Sequence, residues 1–448
     1  MELIKSKYLT FYTGKLYPVF IAIIVLIGHT FSLELFTIAL VAFSAGFGVL
    51  LSCDLRYVLS PALLTFFCLS RKSAFNGEGS FFSAWSIAIT AVACSIFAIC
   101  LILHFIKYRK EKDFKKVKKS PLFWGFVALS SCLLFNGIFY KGGLSFANFL
   151  YTIGLILTFF GIFYLFYTSI KFDSTFSEYV IYILYIASLV ITIEFFSLFA
   201  LGQIELVNGQ IVKESVVTGW GTWNAIGCYL SMLIPIHFYL ACYSKRLSYI
   251  FYGTGLLSYL AIVITLSRAS LLAGTVVLGI SIILSCFKGN NKKSNRIMTL
   301  IVCFIGILFI IVFHEKIFNI LNDYINRGID DNGRFEIYSF GMDKFLSHPI
   351  FGCGFYSSPY STNFGIPFLY HNTFVQLLAS CGVVGLLGYL FHRYQTLVII
   401  FEKIKSGSIF LSLCILALLI TSLLDVHLFS LYPTIYYSIL LLAIEKSD

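Results

Sequence analysis

The sequence predicts an all-α, polytopic bundle that crosses a membrane about fourteen times, and three observations lead there. The chain is 59% hydrophobic and 12% charged over 448 residues, which is more apolar surface than a soluble domain of that length can bury. Its apolar runs repeatedly reach the ~20 residues that cross a hydrocarbon core of ~30 Å. The runs are also continuous, without the alternation of barrel strands, and in lipid their backbone hydrogen bonds must close within each segment.

In chain order the runs place spans at 17–33, 34–51, 55–70, 81–106, 121–140, 145–170, 177–201, 222–243, 247–264, 268–287, 297–314, 373–401, 408–424 and 427–444. One domain, 1–448, is expected, with a large polar loop, 315–370, inserted between spans 11 and 12. Lys5, Lys7 and Lys15 precede the first run as in a signal peptide, but continuous further spans and the lack of a small-x-small site predict an uncleaved first span.

Orientation comes from the basic residues. With the N-terminus inside, inner loops and tails collect 22 of the 32 Lys and Arg, eight of them in 107–119 and four in 288–296, and the outer loops hold nine. This asymmetry puts both termini in the cytoplasm and the 315–370 loop outside. The net charge of +11 thereby has a topological explanation, and a nucleic-acid partner is not expected, because a short loop between spans offers no folded basic surface.

Of twelve cysteines only Cys353 lies in the large loop, and the rest fall in spans or at their edges as small apolar residues. No metal-ligand spacing, Walker loop or GxGxxG is present, so no metal, nucleotide or other cofactor is expected.

Chemistry on a membrane-borne substrate would sit on the large outer loop and the span ends facing it. Loop 202–221 reads as a hairpin about Asn208-Gly209, followed by Trp223 and Asn224 at the interface. Arg268 opens the tenth span within apolar sequence, where a guanidinium needs a carboxylate, a phosphate or water. Asp330-Asp-Asn-Gly333 is a turn, and 334–346 reads as a short helix with Phe335, Tyr338, Phe345 and Leu346 along one stripe. Gly352 and Gly354 permit close backbone approach to a ligand. The loop ends in Tyr370-His371-Asn372 at the head of span 12.

The ordered set Ser267-Arg268, Gly333-Arg334 with Tyr338, His348-Pro-Ile-Phe-Gly-Cys-Gly354 and His371-Asn372-Thr-Phe through Gly385 resembles the O-antigen ligase and O-antigen/capsular polysaccharide polymerase superfamily of bacterial envelopes, most strongly over 218–390. Two departures stand out: family members often carry tryptophan where Tyr338 stands, and a second asparagine or proline near Asn224.

The resemblance implies glycosyl transfer on the outer face of the bacterial plasma membrane. The donor would be a glycan on a polyprenyl diphosphate, typically undecaprenyl. Arg268 and Arg334 would bind the diphosphate and His371 would be the general base. Asn224, Tyr338, Tyr370, Asn372 and Asp425 are candidate acceptor or orienting groups, with Glu336 and Asp330 as alternative bases. His427 is close to Asp425 in the last outer turn but has no matching motif. The chemistry is coherent without the family: a diphosphate leaving group already activates the anomeric carbon, so the protein must neutralise developing charge and deprotonate a sugar hydroxyl.

The expected function is therefore a repeat-unit polymerase, with the growing lipid-linked chain as donor and the next lipid-linked unit as acceptor. Membrane lipid, a chain-length regulator and a flippase are the other expected partners. The alternatives are a ligase with a lipid A-core or cell-wall acceptor, which shares the phosphate-holding residues, and a lipid-linked oligosaccharide flippase, which should instead carry mid-span charges and pseudo-repeated halves.

Overall fold

The computed structural model describes residues 8, 10–31, 33–65, 84–112, 114–207, 210–212, 215–219, 221–329, 333–357, 369–404 and 407–447. Among them, eight helices are long and apolar enough to cross a membrane and five shorter apolar helices accompany them, which makes this a polytopic helical membrane protein. The first eight helices are α1 Leu16–Thr30, α2 Glu34–Leu51, α3 Leu59–Leu64, α4 Ala84–Tyr108, α5 Pro121–Leu134, α6 Phe146–Ile156, α7 Ile162–Ser169 and α8 Phe176–Ala200, with a π turn joining α6 to α7. After two short hairpins, β1 Leu206–Val207 with β2 Gln210–Ile211 and β3 Val217–Thr218 with β4 Gly221–Thr222, come α9 Trp223–Tyr243, α10 Ser248–Ile264, α11 Arg268–Phe287 and α12 Lys292–Ile329. The chain finishes with α13 Arg334–Ser347, α14 Thr373–Lys403, α15 Ile409–Leu424 and α16 Leu431–Glu445. Buried α9 is packed by α8, α10, α11 and α15, whereas the apolar half of α12 is exposed.

Several elements add to the sequence reading or depart from it. Within its described residues, 55–65, the third run holds a 3-10 turn at Arg56–Val58 followed by the short α3. There the buried Arg56 guanidinium donates to Asp173 Oδ2 at 2.8 Å and to Thr175 Oγ1 at 2.9 Å, so this end of the run is fixed by a charge and not by lipid; residues 66–83 lie outside the described residues. The eleventh span ends where expected, at Glu315, next to non-helical dihedrals at Phe313, but a second helical stretch runs on to Ile329. Polarity after Glu315 ends the membrane signal, but no proline follows to end the helix. A second hairpin, pairing Val217 with Thr222 and Thr218 with Gly221, occupies the approach to α9. The first hairpin pairs Leu206 with Ile211 as its turn signal predicts, although Asn208-Gly209 itself lies outside the described residues.

The most consequential departure is in α14, which is broken at Gly382 (φ 64, ψ −162). Val383 and Val384 donate their N–H groups to the Pro349 and Ile350 carbonyls at 2.9 and 3.1 Å, and the Ala379 and Ser380 carbonyls accept from Cys353 and Gly354 at 2.8 and 2.9 Å. The backbone groups freed by the break are thus taken up by an inserted loop, as a broken helix at membrane depth requires. A Cβ on Gly382 would lie 2.4 Å from the Ile350 carbonyl carbon, and one on Gly352 would lie 2.4 Å from that of Ser380. The loop glycines approach protein backbone here, where the sequence suggested a ligand.

Helix α13 lies across the head of α14. Its contact side is Gly341, whose Cβ position is 2.5 Å from Val375 and 2.8 Å from Tyr370, while Phe335 and Leu346 of the expected apolar stripe are exposed.

Candidate active site

The site is assembled where α14 begins and α15 ends. The Asn372 side chain caps α14, accepting from Phe374 and Val375 N–H at 2.8 and 3.1 Å. Its amide donates to the Leu423 carbonyl at 3.0 Å, and Thr373 Oγ1 donates to that of Ser422 at 2.7 Å. The same residues therefore satisfy the first turn of one helix and the last turn of its neighbour. That staple sets His371 opposite Asp425, with Nδ1 3.2 Å from Oδ1.

His371 holds a left-handed backbone (φ 51), which costs a non-glycine residue about 1–2 kcal/mol. Neighbours on both sides fix it. The Tyr338 hydroxyl on α13 donates to the His371 carbonyl at 3.2 Å, and Tyr370 N–H donates to Gln376 Oε1 at 3.0 Å.

Asp425 is the hub. Its Oδ1 also accepts from Val426 N–H at 2.8 Å, and its Oδ2 accepts from Asn224 Nδ2 at 3.4 Å, at the start of α9. His427 Nε2 stands 3.6 Å from Oδ2, beyond hydrogen-bond length. Burial alone would raise the Asp425 carboxyl, but His427, His371 and the Val426 N–H outweigh it and hold the group well below the usual carboxylate range. Burial pushes the His427 imidazole down, opposed by Asp425 and reinforced by His371. An ionised carboxylate only accepts, so a neutral His371 imidazole facing it offers Nδ1–H and keeps its Nε2 lone pair. The His371 side chain is 36% exposed and that of Asp425 12%, so the imidazole is open and its partner enclosed.

The remaining predicted residues fall into two groups. Arg334 opens α13, half-buried, one turn before Tyr338. The Tyr338 hydroxyl, raised mainly by burial, is lowered by Arg334 and raised by Asp425, so both charges lie within electrostatic reach of it. Arg268, also half-buried, opens α11. Two residues on, Ser270 lies 2.5 Å from the Cβ position of Gly227, on the first turn of α9 beyond Asn224. The structure thus gathers His371, Asp425, Asn224, Asn372 and Tyr338 around one point, Arg334 lies one turn before Tyr338 on α13, and Arg268 opens a helix packed on the one carrying Asn224. By contrast, Tyr370 is fully buried, with its hydroxyl 3.2 Å from Ser357 Oγ, and forms the wall behind His371. Glu336 is exposed on α13, and Asp330 lies outside the described residues.

Sequence reading did not single out His427 as part of this group; the only signal was its two-residue spacing from Asp425. Among the described residues no cluster of His, Cys, Asp and Glu is arranged to hold a metal ion.

No curated protein matches the chain. Residues 253–390 match the Wzy_C family model, described as O-antigen ligase. The matched segment is just under a third of the chain; it includes Arg268, Arg334, Tyr338 and His371 and excludes Asn224, Asp425 and His427. Over residues 253–390 this multi-pass membrane protein is therefore similar to the O-antigen ligases and the superfamily of bacterial glycan polymerases and ligases around them.

Proposed function

We propose that this protein is a polysaccharide repeat-unit polymerase of the bacterial plasma membrane, forming one integral domain with its site on the extracytoplasmic face. It transfers a glycan from a polyprenyl diphosphate to the sugar hydroxyl of a second lipid-linked unit. His371 Nε2 takes the proton of the acceptor hydroxyl, the acceptor oxygen attacks the anomeric carbon, and the carbon–oxygen bond to the diphosphate breaks with its electron pair on the leaving group. Arg268 and Arg334 bind the diphosphate and neutralise the developing charge. Asp425 fixes the tautomer of His371 and stabilises its imidazolium, as a carboxylate does for a catalytic histidine elsewhere. Asn224 holds the second oxygen of Asp425, and Tyr338 holds the backbone of His371.

The observation that carries this reading is the His371–Asp425 contact at 3.2 Å, beneath a helix that opens with Arg334. Supporting the face assignment is the excess of Lys and Arg in loops at the other end of the bundle.

The test is turnover by purified protein in lipid bilayers, given a synthetic polyprenyl-diphosphate repeat unit as the sole glycan. A ladder of products is expected. Transfer that occurs only after a lipid A-core or cell-wall acceptor is added would make the enzyme a ligase. His371→Ala should lose on the order of 10²- to 10⁴-fold in rate while still binding donor.

A further inference from the structure

Glu194 lies inside α8, a helix of membrane-spanning length, with 5% of its surface exposed. A carboxylate in that setting costs several kcal/mol, on the order of the penalty for a buried unpaired ion, unless donors meet it. One backbone donor and one imidazole meet the same oxygen. His29 Nε2, from the end of α1, stands 2.5 Å from Oε1, and the backbone N–H of Gly219 donates to the same atom. His29 is itself 5% exposed. Beside it, Gly28 gives α2 room, since a Cβ there would fall 1.8 Å from Thr37 Oγ1. The carboxylate therefore joins α1, α8 and the turn between β3 and β4.

That turn leads straight into the site. Gly219 follows β3, the strands pair Thr218 with Gly221, and β4 ends at Thr222, the residue before α9. Asn224, in the first turn of α9, reaches Asp425 over 3.4 Å, at the long end of the hydrogen-bond range, where a shift of a few tenths of an ångström decides whether the bond exists. The hairpin sets where α9 begins, and Glu194 sets where the hairpin lies.

We infer that Glu194 is a positioning residue: through Gly219 it fixes the β3–β4 hairpin and so holds Asn224 against Asp425. The catalytic half of this statement rests on the reading of His371 and Asp425 as the reacting pair; the structural half does not.

The experiment compares wild type, Glu194→Ala and Glu194→Gln as full-length protein in lipid nanodiscs, measuring both backbone amide exchange and turnover. Glu194→Ala should raise exchange of residues 215–222 by about 10-fold or more while residues 228–238 of α9 stay protected. It should also lower kcat by about 10-fold, with KM for the donor unchanged. Adding Asn224→Ala to it should cost nothing further. Glu194→Gln keeps a carbonyl oxygen for Gly219 and should retain both hairpin protection and most turnover. Hairpin exchange equal to wild type in a folded Glu194→Ala protein, or a loosened hairpin with unchanged kcat, would overturn the inference. Should Glu194→Ala not accumulate, the Gln variant decides, because loss of hairpin protection there refutes the role of the acceptor oxygen. A wild-type protein without glycosyl transfer would refute the proposed function instead, and the exchange comparison would still decide whether Glu194 holds the hairpin.

Discussion

The segment matched to the O-antigen ligase family and the sequence on either side of it divide the site between them. Residues 253–390 carry the groups with exposed or half-exposed ends: Arg268, Arg334 and the open face of His371. The flanks carry the enclosed Asp425 and His427 between α15 and α16 and the half-buried Asn224 on α9, and of these Asp425 meets His371 from behind. Groups that touch a shared substrate chemistry constrain residue type at a fixed position, whereas a supporting hydrogen bond can arrive from any helix that packs nearby. The recognisable part of such an enzyme can thus be smaller than its working part.

The comparison breaks most severely inside the matched segment. Gly382 has dihedrals no side chain adopts comfortably, and its Cβ would strike Ile350. Gly382→Val should eject the 349–354 loop and, with strain of about 1–3 kcal/mol even before the clash, leave little folded protein in the membrane, as read by size-exclusion chromatography in detergent. A monodisperse, active variant would show that the break is not needed. A smaller effect is expected at the arginines. Arg334→Lys keeps the charge but loses the two-pronged donor, and turnover should fall by about 10-fold with membrane levels unchanged, from the ~1.4 kcal/mol of one charge-assisted hydrogen bond. The same loss is expected for Arg268→Lys, and full activity of either variant would remove that residue from the site.

Smallest is a stability effect in the flank. Asp425 is held below the usual carboxylate range in the folded protein, so its contribution is fully present above an unfolded pKa of about 3.9 and is lost as pH falls towards the folded value. Asp425→Asn should therefore lower the melting temperature at about pH 6, and the gap should narrow below about pH 4. A gap that widens on acidification would contradict the assigned charge.

What could be read from the sequence follows the same division. The spanning helices were legible because apolar length is a local property, and the α13 helix because Gly333 and the Arg334–Leu346 pattern mark it within a few residues. The His371 and Arg334 positions were legible through their motifs. The break at Gly382 was not, because residues 373–401 form one apolar run and the hydrogen bonds that open it come from 349–354. Nor was the helical stretch from the Phe313 break to Ile329, because its polarity reads as loop. Asp425 stood out only as a carboxylate near a histidine, since its contact with His371 closes over 54 residues of chain. His29 is farther still from Glu194 in sequence, Gly219 lies 25 residues beyond it, and no pattern joins the three before the helices pack.

The most direct test of the division is the coupling between its two halves. Turnover of His371→Gln, Asp425→Asn and the double variant, measured in one bilayer preparation, forms a closed cycle across the boundary of the matched segment. If Asp425 acts by orienting His371, the double variant will be no slower than His371→Gln alone, because the second substitution removes support for a base already gone. Losses that simply multiply would mean that the two residues act independently and that the flank does not complete the site.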